Sequence, residues 1–167
     1  MGSELPQALQ VSDQPRHLRL HRYQWIGLPL LFLVPILALL GTFGDSTDRE
    51  ADATAELALA VEYPARHRFK QIHTVEVRVE NLSGRVLDTI VVSFDPEYVL
   101  RFSGLAFIPG VEEPFEVVLR DVQPGEIRLV VAELQSEEYG RHTGEVRAHA
   151  VGAVDTAAVV LSTLIFP

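Results

Sequence analysis

Two runs, ELALAVEY (residues 56–63) and TVEVRVENLSG (residues 74–84), set the period of most of the chain. In the first, Leu57, Leu59, Val61 and Tyr63 alternate with Glu56, Ala58, Ala60 and Glu62. In the second, Val75, Val77 and Val79 alternate with Thr74, Glu76, Arg78 and Glu80, and Asn81-Leu82-Ser83-Gly84 supplies a turn. A period of two puts apolar groups on one face of an extended segment and polar groups on the other, so each run predicts a half-buried strand.

Downstream the pattern repeats at spacings near ten residues. Val86–Phe94 turns Ile90, Val92 and Phe94 inward and stops at Asp95-Pro96; a weaker strand is predicted over Tyr98–Phe107. Phe115, Val117 and Leu119 begin the next. Pro124-Gly125-Glu126 reads as a tight turn, because Pro presets φ and Gly accepts a positive φ. Ile127–Leu134, Gly144–Ala150 and Ala157–Phe166 complete seven to eight strands, with no soluble amphipathic helix among them. The fold class is therefore mainly β, a two-sheet antiparallel sandwich over residues 56–167. The final run, AAVVLSTLIF, is apolar over ten residues and predicts a central strand or a covered edge.

Upstream the composition changes. Residues 1–15 are polar with two Pro and no apolar period, which predicts a disordered tail. Residues 16–44 join a basic flank to YQWIGLPLLFLVPILALLGTFG (23–44), which carries no charge over 22 residues. At about 1.5 Å per residue such a helix reaches roughly 33 Å, the thickness of a bilayer core, and is read as one transmembrane helix. Tyr23 and Trp25 fall where an aromatic belt belongs. Gly27 and Gly41 offer close approach to another helix, and Pro29 and Pro35 invite bends. A cleaved signal is the competing reading. The length of the apolar run and the lack of an A-x-A site oppose it.

Charge sets the orientation. Arg16, Arg19 and Arg22 precede the apolar run, against Glu4 and Asp13; the other eleven cations and twenty-one acids follow it. The basic flank predicts a cytoplasmic N-terminus in a bacterial inner membrane and an exported C-terminal domain. Residues 45–55, rich in Asp, Thr and Ala, read as a tether. The acidic domain disfavours nucleic acid as a partner, and the absence of Cys excludes disulfides, thiolate metal sites and Cys nucleophiles.

The span from Thr74 to Ala150, with VEVRVENLSGR, DVQPGEIRLVVAEL and YGRHTGEVRAHA, resembles small immunoglobulin-like domains of bacterial surface and periplasmic proteins. It is similar in particular to the CARDB type and to the C-terminal domain of FixG-type oxidase assembly proteins. The resemblance implies an immunoglobulin-like fold and an adhesive or scaffolding role. FixG-type proteins also carry several membrane helices and ferredoxin-like Cys clusters, which this chain lacks, so the redox role does not transfer.

No catalytic constellation is present. His17 and His21 sit at i, i+4 without a third ligand or a general base. His67 lies in the basic turn ARHRFK, His73 is in phase with Val75, and His142 and His149 lie near the next-to-last strand. Glu112-Glu113 and Glu137-Glu138 are adjacent acids in loop-like sequence, and there is no G-x-S-x-G or phosphate loop. No catalytic residue, metal ligand or cofactor is expected, and a small molecule is not the expected ligand. FSGLAFIPGVEEPF (102–115) concentrates Phe102, Leu105, Phe107, Ile108 and Phe115, candidates for a protein docking patch. The expected role is a non-catalytic single-pass subunit whose domain docks onto a larger membrane protein complex, of respiratory or photosynthetic electron-transfer type. Two alternatives stay open: an assembly or chaperone-like factor for exported cofactor proteins, and a metal- or small-ligand-binding sensor using His73, His142 or His149.

Overall fold

A computed structural model describes residues 24–39 and 44–167, and its contacts divide the chain into two units between residues 43 and 44. The first holds helix α1 (Gln24–Leu39), with Pro29 and Pro35 inside it. Leu30, Leu31, Phe32, Ile36 and Leu39 are all exposed. The span read from the sequence covered residues 23–44; the described helix is 16 residues long, about 24 Å. Among the described residues no helix is long and apolar enough to cross a membrane. Tyr23, Gly41 and the tail 1–15 lie outside the described residues, as does the side chain of Trp25.

The second unit is built of nine strands: β1 (Ser46–Ala53), β2 (Leu57–Arg68), β3 (Ile72–Asn81), β4 (Leu87–Phe94), β5 (Phe102–Ile108), β6 (Glu116–Val122), β7 (Ile127–Ser136), β8 (Gly140–Ala150) and β9 (Ala157–Phe166). Hydrogen bonding runs in the order β5-β7-β3-β2-β9-β8-β4-β6, with β1 also on β2. All pairs are antiparallel except β2 with β9, which join in parallel at Arg66–Arg68 opposite Leu164–Phe166. That short parallel join links two layers. Val75, Val77 and Val130 from one layer and Val92, Val146 and Leu161 from the other belong to one buried cluster. The expected mainly β architecture is the structure, with nine strands in place of seven to eight and one parallel join, and β9 sits centrally between β2 and β8.

Alternation explains the layers. β3 buries Val75, Val77, Val79 and Asn81; β9 buries every second residue from Ala157 to Ile165. Asn81 is the polar member of that inward row. Its Nδ2 donates to the carbonyls of Arg85 (2.8 Å) and Val122 (2.9 Å), and its Oδ1 accepts from the Ser83 amide at 2.9 Å. One side chain therefore holds the β3–β4 turn against the end of β6.

Two segments depart from the sequence reading. Residues 45–55, expected as a tether, contain β1, whose eight residues pair with β2 from Ser46 opposite Arg66 to Ala53 opposite Ala58. A strand with no apolar period leaves no trace in hydropathy, because backbone pairing alone defines it. The weak strand expected over Tyr98–Phe107 is split. Asp95 caps a short helix α2 (Pro96–Val99) by accepting from the Glu97 amide, and Pro96 suits the first turn, so β5 starts only at Phe102.

Candidate functional site: the histidine end of the sandwich

The side chains that hydropathy leaves unexplained gather where β2 ends and β3 begins. Continuing the parity of Leu57, Leu59, Val61 and Tyr63 by two steps puts His67 inward at 2% exposure. His73, at the start of β3, follows the parity of Val75. Their rings stack with centroids 3.9 Å apart and a tilt of 35°. His73 also packs edge-on to Phe102 at 5.4 Å, and Phe102 lies 6.2 Å from His142 and 4.9 Å from Tyr98.

His67 Nδ1 donates to the Arg68 carbonyl at 3.0 Å, so in the neutral ring Nε2 carries the lone pair. That atom is buried without a partner, as are both ring nitrogens of His73, among the described residues. Burial holds His73 down to about 4, helped by the neighbouring His67 charge and opposed by the Gln71 backbone. Burial also lowers His67, and the Arg68 carbonyl and Asp45 work the other way. Two neutral imidazoles are the consequence at neutral pH. Beside them opens a cleft of about 300 Å³ whose lining includes Asp45, Glu62, Glu76, His67 and His73. Among the described residues no three His, Cys, Asp or Glu side chains group so as to hold a metal ion. Stacked rings direct their in-plane lone pairs side by side rather than toward one point.

His17 and His21 lie outside the described residues, and the other two histidines are on β8. His142 is buried on β8 with Nε2 3.3 Å from the Glu138 carbonyl. His149 is half-buried on the outer face of the same strand and lines a separate, open depression with Ser93, Glu145 and Arg147. Tyr98 plugs the core between the layers: its hydroxyl lies 3.0 Å from Thr163 Oγ1, and burial pushes its phenol up to about 12.

The docking candidates expected over 102–115 divide between the core and the surface. Phe102 is 5% exposed and belongs to the core, while Phe107 and Phe115 pack against that core, Phe107 at 5.2 Å from Phe94. The open end of a sandwich needs large groups to fill it, and these aromatics supply them. Ile108 alone of that set stands out, 59% exposed; Leu105 lies on β5 with its side chain outside the described residues. Gly27 has nothing within 4 Å of the position a Cβ would take. His67, assigned from sequence to a basic turn, is the residue the pattern hides. Arg66 and Arg68 on either side mask a parity that Tyr63 already sets.

No family model matches the chain, and no curated protein does. Solved structures do. The CARDB domain of a Pyrococcus furiosus protein, crystallised in complex with di-metal ions, overlays at TM-score 0.47 and 10% identity, covering 73% of this chain and 89% of that domain. The β-glucosidase of Listeria innocua, in complexes with isofagomine and with gluconolactone, overlays at TM-scores of 0.32 and 0.34 and identities of 15% and 16%. This chain spans 16% of the glucosidase, and 73–74% of its own length is covered. The FixG-type resemblance gains no support from these matches.

Proposed function

We propose that the chain is a non-catalytic, single-pass membrane subunit whose β-sandwich is carried on the far side of a bacterial inner membrane and docks onto a larger membrane protein complex. The observation that carries the reading is α1. Leu28, Leu30, Leu31, Phe32, Leu33, Ile36 and Leu39 are all exposed on it, an arrangement that water disfavours and lipid accepts. The uncharged sequence continues through residues 40–44 beyond the described helix. Arg16, Arg19 and Arg22 ahead of it support a cytoplasmic N-terminus.

The sandwich suits binding rather than chemistry. Its most distinctive polar cluster is a stacked pair of neutral imidazoles, with no nucleophile paired to either ring among the described residues. An electron-transfer complex is the host we favour, and the lipid bilayer and the neighbouring subunits are the partners.

Solubilisation from native membranes in mild detergent, with size separation and mass spectrometry of what stays attached, tests the proposal. Recovery in a large assembly at constant stoichiometry is expected. Recovery alone overturns the subunit role, and points instead to a transient assembly factor.

A further inference from the structure

We propose that β1 is a detachable strap, a strand that pairs with the edge of β2 in one state and releases in another, turning residues 44–56 into an extensible linker. Nothing on β1 is buried: Ser46 is partly exposed and the other seven residues are exposed. No β1 side chain belongs to the core cluster. Its ladder partner is β2. Hydrogen bonding along one edge is thus left to offset the conformational entropy of eight residues, two quantities of similar size, without the apolar burial that fixes β3 or β9.

Among the described residues, side-chain bonds add to the ladder. Arg66 Nε donates to Ser46 Oγ (3.2 Å), the Tyr63 hydroxyl to Glu50 (3.3 Å), and the Ala158 amide to Asp52 (2.9 Å). Against them work Asp48, Glu50 and Asp52, three acids crowded on one strand of a domain that is already strongly acidic.

Release leaves the sandwich whole. β2 stays held by β3 over Leu57–Glu62 and by β9 over Arg66–Arg68. The hinge is formed already: Thr54 Oγ1 accepts from the amides of Glu56 and Leu57, closing a turn that needs nothing from β1. Eight freed residues add up to about 26 Å of reach. That gain in reach rests on the anchored reading of α1; the detachment does not.

Hydrogen–deuterium exchange on the full-length chain in mild detergent tests detachment without reference to membranes. Because the chain has no Cys, an Ala51→Cys/Ala60→Cys pair, placed at facing register positions, locks the strap when oxidised. The β2-bonded amides of residues 46–53 are expected to exchange at least about tenfold faster than those of Val75–Val79. Tyr63→Phe is expected to speed them several-fold further. Oxidation of the double-Cys variant is expected to slow them to the β3 level, and reduction to restore the wild-type rate. Exchange of β1 in step with β3, or exchange indifferent to the disulfide, overturns the proposal.

Discussion

Gly144 has no side chain because Tyr98 occupies the space: a Cβ built there would overlap the Tyr98 Cβ and Cγ, atoms that cannot swing away. Tyr98 in turn is pinned by Thr163. Gly144→Ala is therefore expected to cost about 3 kcal/mol and to lower the thermal midpoint by on the order of 10 °C, measured by calorimetry. His73 gives a pH signature. Its folded pKa lies near 4 against an ordinary 6.5, so the folded chain binds fewer protons than the unfolded one between those values. Stability is full above pH 6.5, falls as pH drops toward 4, and levels off below, a loss of up to about 3 kcal/mol. His67 shifts in the same direction. Denaturation midpoints recorded from pH 7.5 to 4 are expected to fall steeply in the wild type and less steeply in His73→Phe, which keeps a ring for His67 to stack on. Tyr98 was visible in the sequence only as part of a weak strand. His67 was hidden because its flanking arginines read as a basic turn.

The strands were legible wherever one face is buried. Leu57–Tyr63 and Thr74–Glu80 announce β2 and β3 through strict alternation, Ile127–Leu134 marks β7 as an apolar run without it, and the Asn81-x-Ser-Gly turn was read as a turn. What the sequence could not show is that Asn81 is a structural tie, since a buried amide and a solvated turn amide look identical in one dimension. Its two donated bonds make a sharp test. Asn81→Asp is isosteric but presents an acceptor to the Arg85 and Val122 carbonyls. It is expected to cost more than Asn81→Ala, itself worth about 2 kcal/mol, in chemical denaturation. β1 escaped because it carries no hydrophobic period, and β5 was misplaced because Asp95 and Pro96 start a helical turn inside what looked like one extended run. The apolar cluster of 102–115 was legible as a cluster, but a list of large residues does not say which of them close a core and which face outward: Phe102 is buried and Ile108 is exposed.

For the molecule as a whole, the claim that matters is that an apolar helix holds an acidic sandwich on the exported face of a membrane. The β-domain follows from the alternation and the core; the membrane placement follows from α1 and the arginines before it, and is the proposal on which the docking role depends. The Cys-free sequence makes it directly testable. Val154 is 98% exposed, so Val154→Cys introduces a single reactive thiol on the domain surface. Labelling of that thiol in intact spheroplasts with a membrane-impermeant maleimide, followed by carbonate extraction of the membranes, is the decisive measurement. The account expects full labelling without lysis and all labelled chain in the membrane pellet. Labelling only after lysis, or recovery of the chain in the carbonate supernatant, would contradict it.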